Sequence, residues 1–190
     1  MKGINIFLAD GFEDVEALAT NDVLRRGGAA TRLVSISDVT AVRSSHGVTV
    51  IADCTLGELD TDSRGTSAGD VMIFPGGMPG SKNLASCGVL MDAMKSHYAA
   101  GGTVAAICAA PGLVLSQLEN LEGVAFTCFD GFESYLEAKG AEFTPEPAVC
   151  CGRIITGRSA GHATSFGLEI LNALEGQEAA DSVAYAMYLE

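Results

Sequence analysis

Cys108 is the residue whose neighbours most clearly suggest chemistry. It lies in Ala105-Ala106-Ile107-Cys108-Ala109-Ala110-Pro111-Gly112, between an apolar run and a stretch that reaches proline at its third residue. A strand ending at Ile107 and a helix beginning at Ala109 leave almost no loop between them. Ala106 and Ala110, small residues two places on either side, permit a turn that tight. The pattern parallels the G-x-S-x-G nucleophile elbow, with cysteine as nucleophile and alanines for glycines. Pro111 suits a first helical turn, where its missing N–H is no loss. A thiol at a helix N-terminus is expected to ionise more readily, because the local dipole favours thiolate. An inert, buried cysteine closing a core strand is the other reading of the same residues.

Two further segments carry suitable groups. Gly76-Gly77 follow Phe74-Pro75. Without Cβ atoms the chain can turn sharply there and bring N–H donors up to a ligand, as an oxyanion hole requires. A plain strand-exit turn fits them equally well. Glu13, Asp14 and Glu16 open a helix, where acids complement the dipole. Glu16 also borders the apolar face. Burial would hold it protonated, able to donate a hydrogen bond to a thiolate or to act as acid and base.

The elements that position these groups alternate along the chain. Residues 3–8, 30–36, 70–74 and 103–107 read as strands. Residues 13–26 read as a helix with Val15, Leu18, Ala19 and Val23 on its inner face. Residues 89–98, 109–118, 130–139, 164–174 and 177–189 also read as helices. Residues 40–52 form a hairpin turning near 44–47, and 149–157 a short strand or hairpin arm. The polar stretch 60–69 is an exposed loop. Such alternation implies an α/β fold, a mostly parallel sheet with helices on both faces. Ligands of such folds bind beyond the carboxyl ends of the strands. Residues 10–16, Gly76-Gly77 and Cys108 each follow a strand, so all three are expected at one sheet edge.

Bulk properties narrow the function. The 190 residues, 48% of them apolar, suit a single domain over 1–190 with one substantial core. A net charge of −13 repels phosphate backbones and anionic lipid, which sets nucleic acid and membrane surfaces aside as partners. No run approaches the roughly 20 apolar residues of a membrane span, and no secretion signal is visible. A cytoplasmic protein is expected. The six cysteines include no C-x-x-C pair, and His46, His97 and His162 are scattered. Neither a metal site nor a disulfide framework is expected from such spacing.

With these residues in view, the chain resembles the ThiJ/PfpI superfamily, and within it the subgroup of the Parkinson-disease protein deglycase. The stretches that carry the resemblance are GFEDVEA at 11–17, DVLRRGG at 22–28, FPGGMPGSKNL at 74–84, AAICAAPGLVL at 105–115 and IITGRSAGHATSF at 154–166. The resemblance implies a flavodoxin-like three-layer sandwich and a homodimer. It implies Cys108 as the nucleophilic, oxidisable cysteine and Glu16 as the protonated carboxyl beside it. Gly77 and Ala109 match the adjacent backbone donors, with Gly76 in the same turn, and Arg26 falls on an arginine near the dimer interface. The implied activity is cofactor-free glyoxalase or deglycase chemistry on small reactive carbonyl compounds. The alternative is redox sensing or chaperone function. Three positions depart from the pattern. Ala109 stands where the protease-like branch has histidine, which argues against peptidase chemistry. Cys128 replaces a nearby histidine and so brings a second thiol towards the site. His46 stands in place of another arginine. His162, in a loop two residues longer than usual, would either restore an imidazole or face solvent; solvent is the expectation.

Overall fold

Side chains along the buried strands alternate between the two faces of the sheet, and this alternation decides the layering. In β1 (Ile4–Leu8), Ile6 and Leu8 join one core cluster and Phe7 the other. The computed structural model describes residues 1–189. Strands β2 (Thr31–Ser35), β3 (Ala41–Arg43), β4 (Thr49–Ile51) and β5 (Cys54–Thr55) follow, then β6 (Val71–Phe74) and β7 (Thr103–Ile107). Short strands β8 (Ala125–Phe126) and β9 (Glu142–Phe143) precede β10 (Ala148–Cys151) and β11 (Ile154–Gly157). Seven of them form the central sheet in the order β10-β11-β7-β6-β1-β2-β5. Every pairing in it is parallel except that of edge strand β10 with β11.

One face is covered by α2 (Gly80–Ser86), α3 (Gly88–Ala99), α4 (Ala110–Leu113) and α5 (Ser134–Glu137), through Leu84, Leu90, Met94, Ala110 and Leu136. The other is covered by α1 (Asp14–Arg26), α6 (Ala163–Glu175) and α7 (Gln177–Ala186), through Ala17, Leu24, Phe166, Ile170 and Val183. The chain leaves β1 for β2 on one side and returns to β6 on the other. The topological switch point therefore lies between β1 and β6, where ligands of open α/β sheets bind. No helix among the described residues is long and apolar enough to cross a membrane.

Three expectations need correction. The buried face of α1 is Glu16, Ala17, Thr20, Val23 and Leu24, while Val15 is half exposed. The helix is thus turned by about one residue, and Glu16 lies within the buried face rather than at its border. The helix expected over 109–118 stops after one turn and resumes as a 3₁₀ turn at Leu115–Gln117. Gly112 is a poor helix former, and the Gln117 side chain takes the Leu113 carbonyl that a continuing helix would use. The helix expected over 130–139 shrinks to the single turn of α5, bounded by Gly131 and Gly140 at φ 92° and 82°. The short helix α2 was not foreseen. The hairpin at 40–52 forms as expected, and the stretch 149–157, expected as a short strand or a single hairpin arm, holds both arms of a hairpin, β10 and β11.

His97 is fully buried, its Nε2 within 3.0 Å of the carbonyl oxygens of both Asp70 and Thr103. Burial holds its pKa below the ordinary value of 6.5. The unfolded chain therefore takes up this proton before the folded one does. The corresponding stability is present above pH 6.5 and falls as the pH drops towards the folded-state pKa. A melting temperature that decreases from pH 7 to 5 in the wild type, and decreases less in His97→Asn, is the expected result.

Candidate functional site

Three strand ends build the site. Cys108 follows β7 directly and has a φ of +66°, a left-handed conformation that costs a residue with a Cβ about 1–3 kcal/mol. Two backbone bonds hold it there. Its N–H donates to the Gly157 carbonyl at 3.0 Å, and its carbonyl accepts from the Phe129 N–H at 2.9 Å. The thiol is half-buried and unpaired.

Glu16 reaches the site from α1. Glu13 caps that helix, its Oε2 accepting the Glu16 N–H at 2.8 Å. The Glu16 side chain is 1% exposed, and its Oε2 accepts the Gly76 N–H at 2.7 Å. Its Oε1 is buried with no hydrogen-bond partner. Burial lifts the carboxyl pKa to about 7, and the charge of Glu13 adds to the effect. At neutral pH a large fraction of the molecules therefore holds a proton on this carboxyl.

Gly76 lies against both the thiol and the carboxyl, which are close enough to share a hydrogen bond. A Cβ placed there would lie 2.6 Å from Cys108 Cβ and 3.1 Å from its Sγ, and would strike Glu16 Oε2. Gly77 has a φ of +89°, and a Cβ on it would lie 2.5 Å from both the Glu13 nitrogen and the Gly11 oxygen. Glycine is thus required at both positions, at the first by space and at the second also by conformation. The Ala109 and Gly77 amides face the sulfur and favour its ionised form. The expectation of three donors free for substrate needs correction, because the Gly76 N–H is held by Glu16.

The expected lowering of the thiol pKa also reverses. Burial raises it, and the Glu16 charge raises it further. The helix that follows, α4, has only four residues, so its dipole is too small to offset burial. Thiol and carboxyl are coupled: whichever loses its proton first makes the other harder to ionise.

The remaining candidates divide. Cys128 lies in the segment that pairs with Cys108, next to Phe129, but its side chain is fully buried in the core cluster that contains Ala110 and Leu136. Burial pushes its thiol up to about 12, which makes it a poor attacking group. His162 is half-buried rather than facing solvent; its Nδ1 lies 3.1 Å from Ser159 Oγ, in the turn leading to α6. Arg26 lies in the last turn of α1, roughly 15 Å along the axis from Glu16. It pairs there with Asp22 at 2.7 Å, so it is not a site neighbour within this chain. His46 is brought to the N-terminus of α1, with its Nδ1 2.9 Å from Asp14 Oδ2. Glu13 and Asp14, explained from the sequence by the dipole alone, therefore gain a partner about thirty positions away. No local spacing signals that contact.

The model of the DJ-1/PfpI family matches residues 2–173. Protein DJ-1 homolog A of Arabidopsis thaliana is 35% identical over 188 residues, which cover 99% of this chain and 47% of that protein. The chain spans about half the length of such plant relatives, 40% in the case of Protein DJ-1 homolog B. The glutathione-independent glyoxalase DJR-1.2 of Caenorhabditis elegans is 32% identical over 90% of this chain and 87% of its own. Among solved structures, a cysteine-to-alanine mutant of a DJ-1 superfamily protein from Salmonella typhimurium superposes with a TM-score of 0.86. The two are 30% identical, and the match covers 100% of both chains. Drosophila melanogaster DJ-1beta also reaches 0.86, at 28% identity over 100% of this chain and 98% of that one.

Proposed function

The chain belongs to the DJ-1/PfpI family, and on that footing we propose that it is a cofactor-free, cysteine-dependent enzyme converting small reactive dicarbonyls, or their adducts, to hydroxy acids. One observation carries the reading. A half-buried thiol and a buried carboxyl flank a single glycine, with amide donors turned towards the sulfur. The glyoxalase named among the relatives supports the choice of substrate.

With methylglyoxal, ionised Glu16 takes the Cys108 proton as the sulfur attacks the aldehyde carbon, and passes it to the new alkoxide to give a hemithioacetal. The Gly77 and Ala109 amides stabilise the charge that moves from sulfur to oxygen. Glu16 removes the proton from that carbon and returns it to the neighbouring one, turning the hemithioacetal into a thioester of lactate. Water cleaves the thioester, releasing lactate and the thiol. The net reaction is methylglyoxal plus water to lactate, with no external oxidant. Lactate formed by the purified protein without glutathione tests the reading; no lactate from protein whose Cys108 is fully reduced overturns it.

A second reading is a redox sensor with little turnover, favoured by the unpaired, half-buried state of Cys108. Mild peroxide should then add oxygen to Cys108 ahead of the other cysteines, as read by mass spectrometry. We also propose a homodimer, for which the exposed Val15, Tyr185 and Tyr188 offer apolar surface. Sedimentation at twice the chain mass is the expected result. A cytosolic location suits six unpaired thiols.

A further inference from the structure

The hairpin of β3 and β4 carries an imidazole to the start of α1. Its backbone is fastened to the loop after β1: the Gly11 N–H donates to the Arg43 carbonyl at 2.7 Å, and the Ser45 N–H to the Phe12 carbonyl at 2.8 Å. His46 Nδ1 then lies 2.9 Å from Asp14 Oδ2 and 3.8 Å from Glu13 Oε1. The two carboxylates are oriented alike. Asp14 Oδ1 accepts from Ser44 Oγ at 2.6 Å, and Glu13 Oε2 accepts the Glu16 N–H at 2.8 Å. In each acid one oxygen is held by the protein and the other faces the same imidazole nitrogen. All three donor atoms lie within 4.8 Å of one another. Among the described residues, His46 is the only ion-pair partner of either acid.

We propose that Glu13, Asp14 and His46 form a binding site for a divalent transition-metal ion of the Zn²⁺ or Cu²⁺ class. An imidazole nitrogen with two carboxylate oxygens suits these ions better than Mg²⁺ or Ca²⁺, which take oxygen alone. Ligand bonds of about 2.0–2.2 Å in a tetrahedron place neighbouring donors about 3.4 Å apart. The two spacings from Nδ1 bracket that value, and the two carboxylate oxygens lie within 4.8 Å of each other. Ser44 Oγ and the Glu16 amide act as the outer partners that aim metal-binding carboxylates. The His46 side chain is 70% exposed, so an ion enters without any opening of the fold and keeps water in its remaining positions. Binding displaces the proton shared by Nδ1 and Asp14, which leaves to solvent. The N-terminal dipole of α1 opposes a cation there, and two full carboxylate charges outweigh a half charge. The scattered histidines of the sequence gave no sign of this site, because the hairpin alone brings His46 to the acids.

The proposal is independent of the catalytic reading and is tested on binding. Full-length protein freed of metal by a chelator is titrated with Zn²⁺ by calorimetry and with Co²⁺ by absorbance. The expected result is one ion per chain, with no thiolate-to-cobalt charge-transfer band and unchanged affinity in Cys108→Ser. Loss of an outer partner costs roughly 10–100-fold in affinity, so His46→Ala is expected to weaken binding by at least about a hundredfold and Ser44→Ala by about tenfold. His46 is exposed, so the alanine variant should melt as the wild type does. Absence of binding, equal affinity in His46→Ala, or a thiolate band that disappears in Cys108→Ser would each overturn the proposal.

Discussion

Glu16→Gln is expected to lower kcat for methylglyoxal about 10²–10⁴-fold, the usual range for loss of a positioned acid-base group. KM should change little, because the carboxyl acts on the proton being moved rather than on substrate capture. The variant should fold, since a glutamine oxygen can still accept the Gly76 N–H now held by Oε2. Cys108 should respond in the opposite direction. The Glu16 charge is one of the two main causes of its raised pKa, and a neutral amide removes that charge. Iodoacetamide should therefore alkylate Cys108 at least as fast in Glu16→Gln as in the wild type. Reduced turnover with undiminished thiol reactivity separates a proton carrier from a group that merely activates the nucleophile. Full turnover in the folded variant would remove Glu16 from the mechanism.

Gly76→Ala is the second change with a large expected effect. The added methyl would overlap Cys108 Cβ and Glu16 Oε2 together, and neither can move freely. Cys108 is fixed by backbone bonds to Gly157 and Phe129, and Glu16 lies in the buried face of α1. Overpacking of this kind costs about 1–3 kcal/mol. A loss of several degrees in Tm is expected, with turnover down by more than about a hundredfold, since misplacement of reacting groups by an ångström costs about that much. Circular dichroism at low temperature checks that the fold survives. A folded Gly76→Ala with turnover within a few-fold of wild type would show that the spacing across Gly76 does not govern the chemistry.

The parts of this arrangement legible in the sequence are those that depend on short range. Small residues around Cys108, with Pro111 behind it, signal the elbow, and the structure places Cys108 at φ +66°. Strand–helix alternation places residues 10–16, Gly76-Gly77 and Cys108 at one sheet edge, and Gly76 touches both Glu16 and Cys108 there. The direction of the thiol's pKa is not legible. It depends on how much water Cys108 loses and on how short α4 proves to be, and both follow from packing between distant segments. The partner of the Gly76 N–H is equally hidden, because it depends on the rotation of α1 that turns Glu16 inward. Cys128 and His46 show the same limit in two directions. Cys128 adjoins Cys108 through the backbone while its side chain enters the opposite core, and His46 meets Asp14 only because a hairpin folds back onto α1.

In the proposed function Cys108 is the nucleophile of a glutathione-independent conversion of dicarbonyls. Lactate production from methylglyoxal by reduced wild type and by Cys108→Ser, without glutathione or added metal, tests it most directly. Lactate is expected to accumulate in proportion to wild-type enzyme, with none above the uncatalysed background for Cys108→Ser. Equal lactate from the two proteins, or none from the wild type, would contradict it.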